Sequence, residues 1–282
     1  MTHRDKNENQ LITQAVNAHG IFFKKAVREK LEAMRGLFIL GEEYPVPYLE
    51  GASIDLLIEF RTNYRRYVLP IECKRGYTAT KRWVFFTEPE GRSAKMMYVF
   101  EGNESGIDTT DRFRLKEVPI CLEGIEIDLS KLRGDSYKAA NPDPIWKAGI
   151  QMCRASLGFL TQEIEQRKGR DISPQDYENN FRLFPLLLTN APLSVCELEQ
   201  GSVEILTGNH KGEIATRNVP YLVLLYPFTP SHDSPDPRRR AEGELKDRYV
   251  EPIERGYHFK EGIMVVNSDH IDQFFDLLRA TA

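Results

Sequence analysis

The sequence predicts an α/β domain, and three observations carry that prediction. An amphipathic helical pattern opens the chain. Three strand-like runs follow it directly, and a second strong helical pattern leads into further buried runs. The 282 residues are 41% hydrophobic and 28% charged, enough to bury a sizeable core in one elaborated domain.

The first helix is read from about Asn9 to Met34, where Leu11, Ala15, Phe22, Val27 and Leu31 recur at helical spacing and Gly36 marks the stop. Leu37 to Tyr48 holds a first strand whose prolines place it at an edge or a bend. Ser53 to Phe60 and Tyr67 to Arg75 read as the next two strands, joined by a turn near Thr62 to Arg66. Residues 76–142 read as a β-rich insertion, with strand-like runs at Lys81–Phe86, Lys95–Phe100 and Gly124–Leu129. Asp143 and Pro144 open the second helix as cap and first helical residue. Trp146, Ile150, Cys153, Leu157, Leu160 and Ile164 form its expected apolar stripe. Leu183–Thr189 and Leu193–Leu198 follow as strands, with a turn at Ser173–Asn180 before them. A Pro-, Ser- and Arg-rich loop is expected over Pro227–Arg255, then a last strand and helix within about residues 257–280, capped by Asn267 or Ser268.

The most informative stretch is Gly51 to Gly76. Asp55 interrupts a run that otherwise reads as a buried strand, with Ile54, Leu56, Ile58 and Phe60 expected on the opposite face. The next strand carries Glu72, Cys73 and Lys74. Charged side chains are expensive in apolar strands unless something pairs with them. Residues two apart on a strand share a face, so Glu72 and Lys74 project together and Cys73 points away with Ile71. If the two strands pair, Asp55 meets both. Two carboxylates beside an ammonium make an oxygen site for a hard divalent cation. The competing reading is a structural ion pair in an ordinary sheet. An acidic-x-Lys triplet alone carries little weight, and a second one, Glu244-Leu245-Lys246, lies in a charged loop with no strand pattern.

The order of these elements, with Asp55 on one strand and Glu72-x-Lys74 on the next, resembles the PD-(D/E)XK superfamily of restriction-endonuclease-like nucleases. That family's core runs helix, strand, Asp-bearing strand, Glu-x-Lys-bearing strand, helix, strand. The resemblance implies a restriction-endonuclease-like core over about residues 9–75 and 143–226, a central mixed sheet flanked by helices. It implies that Asp55, Glu72 and the carbonyl of Cys73 bind magnesium or manganese. It also implies that Lys74 orients or deprotonates the attacking water and stabilises charge on the phosphate. The implied activity is metal-dependent phosphodiester hydrolysis, with DNA the favoured substrate, in restriction, repair or phage defence. The alternative is a catalytically inactive nucleic-acid-binding or protein-interaction module on the same fold.

The chain departs from the family in two places. Many members carry a glutamate on the first helix after a Gly-x-x-Phe pattern; here Gly20-Ile21-Phe22-Phe23 is followed by Lys24. By helical angle Glu32 is a better substitute than Glu29, and Glu43 is the better strand candidate. Glu50 ranks behind because it precedes a turn glycine. Some relatives carry Gln-x-x-x-Tyr on the second helix; Gln151 is present, but Ala155 replaces the tyrosine. Gln151, Arg154 and Lys147 are candidate substrate-binding residues on that helix, against a plain reading as solvated positions.

Other chemistry is poorly supported. The sequence shows no phosphate loop and no nucleophile elbow. Arg238-Arg239-Arg240 lies in the proline-rich loop and reads as solvated. The four cysteines and six histidines are dispersed, which argues against zinc and disulfides and makes a reducing cytoplasm the expected location. The polar N-terminus carries no signal pattern, and no apolar run has membrane-span length, so no membrane partner is expected. A net charge of −4 gives no global basic footprint, yet a local basic cleft on an acidic body can still meet nucleic acid. The absence of an obvious sequence-reading domain leaves room for a protein partner in a multi-subunit system.

Overall fold

The computed structural model describes residues 11–13, 16, 20–61, 66–76, 79–87, 99–103, 106–110, 118–131, 143–167, 181–197, 202, 204, 209–226 and 261–281. It is an α/β structure in which helices cover both faces of a large mixed sheet. The opening elements are α1 (Ile21–Glu32), β1 (Leu37–Pro45), β2 (Ser53–Arg61) and β3 (Arg66–Lys74). Four strands follow: β4 (Lys81–Thr87), β5 (Val99–Asn103), β6 (Gly106–Thr110) and β7 (Ile120–Asp128). Next come α2 (Pro144–Arg167), β8 (Phe181–Leu183), β9 (Leu186–Thr189) and β10 (Leu193–Glu197). The described chain ends with β11 (Thr216–Val219), β12 (Tyr221–Tyr226), β13 (Glu261–Asn267) and α3 (Ile271–Thr281).

The first helix is not continuous from Asn9. Residues 11–13 and 16 are helical, but Gly20 sits at φ 75° and breaks the path before α1. That left-handed geometry is open to glycine and strained for other residues. The β1–β2–β3 meander is antiparallel. Its far side runs parallel, β3 against β8 and then β9, and β9 against β13. The expected strand at Leu183–Thr189 divides into β8 and β9 at Phe184-Pro185, because proline has no N–H to give to a ladder. The carbonyl of Pro185 still accepts from the Met264 N–H.

The β-rich segment after β3 does not stand apart. β4 pairs with β10 in parallel and with β7 antiparallel, and β7 joins β12. Two adjacent strands, β3 and β9, thus turn together and continue as β4 and β10. The corner is tied by side chains: Asn190 Oδ1 accepts from the Gly76 N–H at 2.7 Å, and Asn267 donates to the Ala191 carbonyl at 2.9 Å.

One core lies between the sheet and α2, holding Leu57, Val68, Leu187, Val265, Met152 and Phe159. The other lies between the sheet and α1 with α3, holding Leu56, Ile58, Leu69, Val27, Leu31 and Phe274. Ile54 departs from the expected face and joins the α2 side with Leu57. Asp143 caps α2 as expected, its Oδ1 accepting from the Ile145 N–H at 2.7 Å. The apolar stripe differs. Trp146 is 51% exposed and leans on Tyr226, while Ile145, Ala148, Met152, Ala155 and Phe159 are buried. α2 is enclosed around most of its circumference, so a single stripe under-describes it. Asn267 caps the C-terminal turn, accepting from the Asp269 N–H. The turn at 173–180, the loop at 227–255, the second triplet and the three arginines at 238–240 lie outside the described residues. Among the described residues no helix is long and apolar enough to cross a membrane.

Candidate active site

β2 and β3 pair as far as Leu56 with Ile71, and there the ladder stops. The next N–H on β3 that faces β2 belongs to Cys73. It is taken by a side chain instead of a strand: Asp55 Oδ2 accepts it at 2.7 Å. An aspartate in a buried strand is thereby held at the opening of a fork between two strands. A residue's N–H and C=O point to the same side of a strand. The Cys73 carbonyl therefore also faces the Asp55 side, while its thiol packs toward the α1 and α3 core.

Glu72 and Lys74 project together from β3 toward α2. Lys74 Nζ lies 2.5 Å from Glu72 Oε1 and donates to Gln151 Oε1 at 3.1 Å. Gln151 therefore reaches the cluster, as the second helix lies across this part of the sheet. Arg154, one turn on, has a buried Nε with no hydrogen-bond partner. Lys147, one turn before Gln151, is exposed.

The electrostatics mark Glu72 as the stressed member. Burial, and next the negative charge of Asp55, raise its carboxyl above the ordinary carboxylate range, while Lys74 and Lys24 act in the opposite direction. Burial pushes the Cys73 thiol well up, with Asp55 and Glu72 adding to it, so that sulfur stays protonated and is no nucleophile.

Lys24, which follows the Gly20-Ile21-Phe22-Phe23 run, enters the site itself. Its Nζ lies 3.3 Å from Asp55 Oδ1 and also bonds Glu43. A register shift in β1 between Ile39 and Gly41 makes this possible. Beyond it Glu42 pairs with Leu56 and Tyr44 with Ile54, which leaves Glu43 opposite Asp55. Glu43 adopts φ 44°, a left-handed backbone uncommon outside glycine. Glu32 is not at the site: it pairs with Arg28 on the same helix. Glu29 faces Lys25, and Glu50 is exposed.

Among the described residues, no three His, Cys, Asp or Glu side chains converge as a metal-holding group. The donor chemistry nevertheless fits a hard cation: two carboxylates and a carbonyl, with an ammonium resting against each carboxylate, Lys24 on Asp55 and Lys74 on Glu72. Sequence reasoning missed Lys24 as a member. The signal was available, since a side chain placed to reach a metal ligand set is placed to reach its carboxylates. No family model, curated protein or solved structure matches the chain.

Proposed function

We propose that this protein is a metal-dependent nuclease of PD-(D/E)XK type, acting on phosphodiester bonds, with DNA as the favoured substrate. The observation that carries the reading is the fork. Asp55 is held at the point where β2 and β3 part, by an N–H of the residue that separates Glu72 from Lys74. A merely structural ion pair needs no such placement. The order α1, β1, β2, β3, α2, β9 supports the family core, and the mixed sheet supports a restriction-endonuclease-like fold.

Asp55, Glu72 and the Cys73 carbonyl would hold magnesium or manganese. The ion, when bound, supplies Lewis acidity and neutralises charge at the scissile phosphate. Lys74 brings a positive charge that a phosphate oxygen can share and a nitrogen that can orient the attacking water. Gln151 anchors that ammonium from the opposite layer, so that Lys74 is aimed by two partners. The raised carboxyl of Glu72 fits a group whose charge is meant to be met by a cation.

One observation favours the second reading, an inactive binding module: Lys24 already balances Asp55. Cleavage of supercoiled plasmid, linear duplex and RNA with and without magnesium separates the two. The nuclease reading requires magnesium-dependent cleavage lost in Lys74→Ala. Binding of DNA without cleavage under any divalent ion favours the module. A soluble cytoplasmic protein, working alone or with a specificity partner, is the setting we propose for either.

A further inference from the structure

We infer that the Lys24 ammonium is the internal cation of this site, and that Glu43 is its resting place rather than a metal ligand. The inference rests on reading Asp55 and Glu72 as a cation site. The two halves of the cluster differ in how they are held. Asp55 is pinned by the Cys73 N–H, and Glu72 is buried with Lys74 and Gln151 around it. Glu43 forms the rim: its side chain is 62% exposed, against 22% for Lys24 and 19% for Asp55. Lys24 reaches from α1 across to both carboxylates, a long side chain with four rotatable bonds. It can leave Asp55 without leaving Glu43.

Without a divalent ion, Lys74 and then Lys24 offset the repulsion between Asp55 and Glu72, Lys24 from the Asp55 side. A divalent ion entering the fork meets a positive charge already seated there, and binding requires Lys24 to withdraw onto Glu43. The unusual backbone of Glu43 fits this role. Glu43 sits at φ 44°, just beyond the register shift, and its carboxylate meets Lys24 of α1. Ser53 Oγ, 3.4 Å from Glu43 Oε2, steadies it. The chain has thus exchanged an acidic ligand on the first helix for a competitor, and its metal requirement is set high by its own lysine.

The test is manganese titration followed by the electron paramagnetic resonance of the free ion, on the full chain without nucleic acid. Lys24→Met and Lys24→Gln are expected to bind manganese more tightly, by roughly tenfold, within the usual range of site-to-site coupling. Lys24→Arg, which keeps the charge, is expected to stay near wild type. Glu43→Gln is expected to weaken binding in the wild-type background, because Lys24 then rests on Asp55 alone. In the Lys24→Met background it is expected to change nothing. Unchanged or weaker binding in Lys24→Met and Lys24→Gln overturns the inference, and so does an equal loss from Glu43→Gln in both backgrounds, which is the behaviour of a ligand. If wild type and all variants bind no manganese, the cation-site reading falls as well; if wild type binds and Lys24→Met and Lys24→Gln match it, only this inference falls.

Discussion

Asp55→Asn separates a functional carboxylate from a structural one. In a purely structural ion pair, removing one buried partner costs about 3–5 kcal/mol. The geometry here predicts far less. An asparagine oxygen can still accept the Cys73 N–H that Asp55 takes at 2.7 Å. The lost attraction to Lys24, 3.3 Å away and still paired with Glu43, is worth about 1 kcal/mol. Against that, Glu72 no longer faces a second negative charge, and its carboxyl was raised by burial and by Asp55. The net change is expected within about 1 kcal/mol, or a Tm shift of roughly 2–4 °C in a chain of this size. With Asp55 proposed to hold the metal, cleavage is expected to fall by about 10²-fold or more. The assay is metal-free thermal denaturation beside plasmid cleavage in magnesium. A Tm loss beyond about 8 °C, corresponding to the structural range, would refute the reasoning. Wild-type cleavage by protein free of contaminating nuclease would refute it from the other side.

Gln151→Ala is expected to lower cleavage by about tenfold with little change in metal-free Tm, because it releases Lys74 without opening a core; full activity would show that Lys74 needs no anchor. Gly158→Ala is expected to destabilise by about 1–3 kcal/mol in urea, since a Cβ there lies 2.6 Å from the Pro47 carbonyl and 2.6 Å from Val46 Cγ1; an unchanged midpoint would contradict the close docking of α2. Glu72 is raised by burial first and Asp55 second, so its contribution to metal-free stability is full below the unfolded value, about 4.3, and is lost as pH rises through the raised folded value. Glu72→Gln should therefore gain on wild type in denaturant melts as pH rises from about 4 to about 8, and a constant difference would refute the assignment. Magnesium or manganese is expected to support activity and zinc retained through purification is not, because the donors are hard oxygens; activity lost only on zinc chelation would contradict this.

Much of the core was readable because its signals are local. Period-two alternation placed Glu72 and Lys74 on one face of β3, and Asp143-Pro144 marked the start of α2 where its cap bond is found. The joining of β4 and β7 to the main sheet was not readable. It depends on β3 and β9 turning together, a pairing between segments more than a hundred residues apart. Pro185 was visible, yet its effect, dividing one strand into two that both pair with β3, needs the partner's register. The site shows the same limit. A helical wheel compared Glu32 with Glu29 around Lys24, but not how far the helix lies from the sheet. That separation lets the lysine itself reach Asp55. The register shift in β1 that sets Glu43 opposite Asp55 has no pattern of its own beyond a glycine at 41.

The most direct test of the central claim is a crystal of the protein soaked in manganese, measured at a wavelength where manganese scatters anomalously. One strong peak is expected in the fork, within bonding distance of Asp55, Glu72 and the Cys73 carbonyl, with Lys24 withdrawn from Asp55. No peak there at saturating manganese, with Lys24 still resting on Asp55, would contradict it.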